Sequence, residues 1–168
     1  MEVRVALALC VVLCGALSGR ALSDGARRRC DALKGLAEAS RRLRVRMTGM
    51  FEPVQNALER AENPLFSLVA GAMTGGRSAG EAWAQVRKNA TRRGGPADSL
   101  TDADREALTR LFDGLGQTGR EEQDLLLEGV VEALAALEAS ARAKLREADR
   151  LYGTLGLLIG LMLALIVI

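Results

Sequence analysis

Apolar residues recur three and four apart through the last third of the chain, at Leu127, Val130, Val131, Leu134, Leu137, Ala141, Leu145 and Ala148. That period marks one face of an amphipathic helix. Arg150 is the last charge, and residues 151–168 (LYGTLGLLIGLMLALIVI) are uncharged. At 1.5 Å per residue this run reaches about 27 Å, against a hydrocarbon thickness of about 30 Å. The pattern predicts one helix from Arg120 that leaves a soluble bundle and enters or crosses a membrane, with Gly153 as a candidate bend.

The preceding residues break into shorter helical periods. Ser23 with Asp24 can cap a helix to about Met47, with Leu33, Leu36, Ala37 and Leu43 on one side and most of the arginines between Arg27 and Arg46 facing solvent. Gly49 and Pro53 end it, and a short helix from Pro53 to about Ala61 turns Val54, Ala57 and Leu58 inward. Asn63-Pro64 places a capping amide before a proline at the first helical position, opening a helix through Phe66, Leu68, Val69 and Ala72 that stops at Gly75-Gly76. Ser78 and Glu81 have capping-box spacing ahead of Ala82, Trp83 and Val86. After a loop at Arg92–Asp98, Thr101 with Asp104 opens a helix whose stripe is Leu108, Leu111, Phe112 and Leu115. Thr118 and Glu121 have the same spacing before the long helix. The expected fold is all-α, a helical bundle, and no strand period interrupts it.

A second uncharged run, Val5 to Gly19, lies between Arg4 and Arg20. Its positive start and the small residues near Ala16 fit a cleavable signal peptide. As a span it is short, and needs local bilayer thinning or snorkelling arginines. Ala6, Cys10, Cys14 and Ser18 fall four apart, as do Gly156 and Gly160 in the last run. Small residues at that spacing let helices approach closely in lipid, which favours a retained span. On that reading the two spans, 1–19 and 151–168, enclose a domain at 20–150, and their packing residues are Cys10, Cys14, Gly156 and Gly160. These stripes pack on each other or on copies in an oligomer.

Charge changes the picture in two ways. The net charge is only +2, yet residues 20–50 carry nine Lys/Arg against three acids, while residues 98–149 carry thirteen acids against six bases. Complementary bundle helices account for this asymmetry; arginines beside a span can also touch anionic lipid. With retained spans, the bases after the first run place the 20–150 domain in the cytoplasm. Cleavage of the first run reverses that, leaving a secreted, C-terminally anchored helical protein with a structural envelope role.

Composition excludes several functions. Histidine is absent, and the three cysteines lack any metal-ligand or redox spacing, so no catalytic, cofactor or metal residue is expected and the thiols read as free. Aromatics are 3% of the chain, too few for a surface that stacks nucleic-acid bases. The glycine pairs lack the Lys-Ser/Thr of a phosphate loop. Glu121 and Glu122, being adjacent, point about 100° apart on a helix and cannot share one substrate. An interaction module held at a membrane fits better than an enzyme.

Two segments carry a resemblance: Leu115-Gly116-x-Thr118-x-x-Glu121-x-Gln123, and Arg150-x-Tyr152-x-x-Leu155-Gly156-x-Leu158-x-Gly160. With Ala79-Gly80-Glu81-Ala82-Trp83 and Leu100-Thr101-x-x-Asp104, they resemble the stage III sporulation protein AB family of endospore-forming Firmicutes. The likeness covers most of the chain and is most specific after Leu115; residues 1–50 match loosely, since the family's first span is usually more continuous. The resemblance implies a non-enzymatic membrane component of the channel complex between mother cell and forespore, in the mother-cell membrane. It also implies a cytoplasmic domain similar to the helical domain of type II secretion platform (F-type) proteins. Its implied partners are a secretion-type ATPase and the other membrane subunits. The turn residues Gln117, Glu121, Glu122 and Gln123 are the candidate partner surface, with capping and solubility as their alternative duty.

Overall fold

The computed structural model describes residues 24–167, all in helices and the turns between them with no strand among them. Residues 24–44 form α1, which ends in a π-helical turn at Val45–Gly49. Then follow α2 (Val54–Glu59), α3 (Pro64–Ala72), a 3₁₀ turn at Thr74–Gly76, α4 (Ala79–Ala90), α5 (Asp102–Gly114) and α6 (Arg120–Val167). The described chain contributes to two compact units. One is Asp31–Ala139, and the other draws on residues 24–30 and 140–167.

Within Asp31–Ala139 the helix starts follow the capping chemistry. The Asn63 side chain accepts from the Leu65 N–H at 2.9 Å, ahead of Pro64. Ser78 and Glu81 exchange both capping-box bonds, at 2.9 and 3.2 Å. The Thr101 N–H donates to Asp104 at 2.9 Å. Each satisfies a backbone group that the first turn of a helix leaves without an internal partner.

The buried faces meet in one core. Leu33, Leu36 and Leu43 of α1, Leu58 of α2, Phe66 and Val69 of α3, Trp83 of α4, Leu108, Leu111 and Phe112 of α5, and Leu127 and Leu134 of α6 are all buried. Leu68, on the far side of α3, is exposed. Phe112 lies at the centre of an aromatic cluster, 5.5 Å from Phe66 edge-on and 5.3 Å from Trp83. Offset and edge geometries of this kind suit the ring quadrupoles. The buried indole N–H donates to the Thr109 hydroxyl at 2.9 Å, which itself donates to the Arg105 carbonyl at 2.9 Å. Gly80 lets α4 meet α5 closely: a Cβ there would fall 3.2 Å from the Asp113 Cα and closer still to its carboxylate.

In the other unit the Arg27 guanidinium grips Asp149 at 2.9 and 3.0 Å. Cys30 is a buried free thiol, and Ala141 is buried. The backbone of α6 stays helical through Gly153, so the expected bend is not a break. Among the described residues no helix is long and apolar enough to cross a membrane. The expected first span, with Cys10 and Cys14, lies outside the described residues, as does Ser23. In the last run, side chains are described only at Leu151, Thr154, Leu158 and Met162, all exposed. Gly156 and Gly160 lie on the α6 backbone, and their surroundings are outside the described residues.

The indole should carry much of the core's stability. Trp83→Ala is expected to cost about 3–5 kcal/mol, as large aromatic truncations in cores do. Denaturant unfolding followed by circular dichroism measures it, and a loss below about 1 kcal/mol would mean the aromatic cluster is not the packing centre.

Candidate partner-binding surface

The α5–α6 turn is held from inside by a residue expected on its outside. The Gln123 side-chain oxygen accepts from the Gly116 N–H at 2.7 Å, and its amide nitrogen donates to the Gly114 carbonyl at 3.4 Å. Gln123 is consequently only 5% exposed. It is a staple of the turn, and the little surface it keeps lines a groove shared with Phe51 and Arg120. The backbone turns at Gly116, in the left-handed region at φ 74°, where a glycine has no Cβ to clash. The capping box expected from Thr118 and Glu121 is not formed. Helix α6 begins at Arg120, so its cap position falls on Gly119, whose carbonyl accepts from the Gln123 N–H at 2.8 Å. Gln117, Glu121 and Glu122 are exposed, as a partner surface requires.

The end of α1 lies against this turn. Arg44 donates to both oxygens of Asp124, at 2.7 and 2.8 Å, and to Glu128 at 3.2 Å. Most of the arginines of this stretch face solvent as expected, but Arg44 pairs across the bundle, because two carboxylates one helical turn apart on α6 form a fork-shaped receptor for the guanidinium. Its donors hold the Asp124 carboxyl below the usual carboxylate range despite partial desolvation, and Arg44 is raised in turn. Both groups stay charged through the neutral range, so the pair is a clamp and not a proton relay.

Past the π-helical turn the chain makes an unusual corner. Met50 N–H donates to the carbonyls of both Val45 and Arg46, at 3.2 Å each. Phe51 then adopts φ 57° and is 67% exposed as a residue. A bulky residue in this region is an outlier that costs on the order of 1–3 kcal/mol. The Arg120 guanidinium lies 4.2 Å from the ring centre and donates to the Thr48 carbonyl at 2.7 Å. Glu52 is occupied by Arg46 and Arg60, at 3.2 and 3.4 Å.

Two shallow grooves flank Arg120. One, of about 530 Å³, is lined by Thr48, Arg120, Glu121, Asp124 and Leu125. The other, of about 370 Å³, includes Met47, Phe51, Gly116 and Thr118 and shares Thr48 and Arg120 with the first. Sequence reasoning missed Met50, Phe51 and Arg120. The signal was available: two large apolar residues between the helix breakers Gly49 and Pro53, where nothing covers them.

The fold places the chain among all-helical bundle proteins, and the corner gives it an exposed surface of fixed charges and uncovered apolar groups. The model of the family described as stage III sporulation protein AB matches residues 4–168, and the chain belongs to that family. A solved structure described as stage III sporulation protein AB superposes with a TM-score of 0.60, at 23% identity, over 71% of this chain and 97% of that one. At that identity the likeness is one of fold. A search of curated proteins gives no match. Family membership gives the protein a role in sporulation.

Two measurements probe this geometry. Gln123→Ala is expected to cost about 1 kcal/mol in denaturant unfolding, since it removes both side-chain bonds that close a part-buried turn; an unchanged midpoint would mean that water replaces the amide. The Asp124 clamp should also shape acid unfolding. Its folded-state pKa lies below the unfolded value of about 3.9, so it adds stability above that value and loses it as pH falls through the folded pKa. Asp124→Asn should therefore flatten the decline in stability between about pH 5 and pH 2, and wild-type and variant curves of equal slope would exclude the clamp as a source of it.

Proposed function

We propose that this protein is a non-enzymatic membrane component of the sporulation channel complex between mother cell and forespore. In this reading the 20–150 domain is cytoplasmic, residues 1–19 and 151–168 hold it in the mother-cell membrane, and it couples a secretion-type ATPase to the other membrane subunits. Family membership and the uncharged runs of the sequence support it, as does the exposed apolar stripe Leu151, Leu158 and Met162 on α6.

The observation that carries the docking surface is a contrast within the first turns of α6. Asp124 and Glu128 are taken up by Arg44, whereas Glu121 and Glu122 are exposed and enter no ion pair among the described residues. With Gln117 they form the surface assigned to the ATPase. The acids also complement the positive end of the helix dipole, worth about 0.3–1 kcal/mol each. Binding and stability must therefore be measured together.

The test is capture of the ATPase by the full chain in detergent, comparing wild type with the combined variant Gln117→Ala, Glu121→Lys and Glu122→Lys. Binding is expected to weaken at least about tenfold, or 1.4 kcal/mol, with helicity unchanged. Equal binding would remove the surface, and no binding by the wild type would remove the ATPase as partner. The short first run, at residues 5–19, keeps one rival in view: a mature N-terminus near Ser23 would make this a secreted, C-terminally anchored envelope protein.

A further inference from the structure

We infer that Phe51 is the anchor of this docking surface and takes a large apolar side chain from a partner segment that also presents Lys or Arg. The inference rests on the ATPase-coupling reading above and adds the residue that binds and the chemistry it selects.

Exposure points to the site first. Eight large apolar side chains are exposed among the described residues, and Val45, Met50, Phe51 and Leu125 account for four of them. Three more lie on the uncharged end of α6, where lipid is the proposed neighbour. Leu68 stands apart. The corner is therefore the place in Asp31–Ala139 where apolar surface is left uncovered in quantity, a mark of an interaction site.

Backbone conformation points there independently. If the chain needed only to turn at position 51, glycine or asparagine would do so without strain. Phenylalanine holds the left-handed conformation instead, and the turn spends that strain on presenting a ring to solvent. Strained bulky residues and π-helical turns both concentrate at functional sites. Arg120 makes the presentation rigid, because its contact with the ring and its bond to the Thr48 carbonyl tie the loop to the first turn of α6. An aromatic fixed before binding loses little freedom on binding, which is how interface hot spots gain their weight.

Charge identifies the occupant. The acids around the grooves divide into those already paired, Glu52, Asp124 and Glu128, and those that are not, Glu121 and Glu122. Against these two stands Arg120, whose guanidinium is held by the Thr48 carbonyl and the Phe51 ring and by no carboxylate among the described residues, so the surplus is one negative charge, and Glu121 borders the groove that contains Leu125. A protein segment that sets an apolar side chain beside a cation is complementary to the exposed ring and the two unpaired carboxylates.

Phe51→Gly separates folding from binding. It removes the ring and suits the left-handed backbone, so thermal stability should hold or rise. Binding of the full chain to the ATPase should fall at least about thirtyfold, the scale of an interface hot spot, while Phe51→Trp should retain it. The residual binding should be less sensitive to Glu121→Lys with Glu122→Lys than wild-type binding is. Binding within about twofold of wild type for Phe51→Gly, alongside loss in the Glu121/Glu122 variant, would overturn the anchor and leave the ATPase surface standing. No binding by the wild type would overturn both. If Phe51→Gly instead abolished self-association in sedimentation, or association with vesicles of anionic lipid, with ATPase binding intact, the occupant would be a second copy or the membrane and the inference would fall.

Discussion

A single guanidinium, shared between two carboxylates, sets the corner on which this protein's candidate surface is built. Arg44 stands at the last α-helical position before the π-helical turn, and Asp124 and Glu128 stand one turn apart near the start of α6. The three residues lie 80 and 84 positions apart in sequence, so the clamp closes the bundle at one end. The π-helical turn, the outward Phe51 and Arg120 lie next to it, where the end of α1 meets the first turns of α6.

The same end of the molecule shows how polar groups are divided between structure and surface. Gln123 and Arg44 are spent internally, one on two backbone groups of a turn and the other on two acids. Their neighbours Glu121, Glu122 and Gln117 are left to solvent. A helix places successive side chains about 100° apart, so a run of four polar residues necessarily serves both duties. The exposed apolar residues follow an inverse rule. The core of Asp31–Ala139 buries Trp83, Phe66, Phe112 and the leucine stripes, which makes the exposed Phe51 conspicuous.

Membership in the sporulation family and the all-helical fold agree with one another, and the compact units part at residues 30/31 and 139/140, inside the 20–150 stretch expected as one domain. One unit carries the buried core and the corner. The other includes Arg27 with Asp149, the last described ion pair before the uncharged run, and the exposed stripe at Leu151, Leu158 and Met162.

Local chemistry was legible in the sequence by itself. The caps at Asn63, Ser78 and Thr101, the stripes of α4 and α5 and the long final helix all involve residues a few positions apart, and each is governed by helix geometry. The turn motif Leu115–Gln123 was visible too, as was the family it resembles. Tertiary structure alone decided which polar residues are consumed. The sequence pairs Thr118 with Glu121 by spacing, but the turn is closed by Gln123, because only the packed position of α6 against α5 brings its amide to Gly114 and Gly116. Likewise Arg44 reads as one more solvent arginine until α6 lies beside it, and Phe51 reads as a loop residue until the clamp and Arg120 hold its ring outward. Contacts between residues distant in sequence depend on how helices pack, and no local period encodes that.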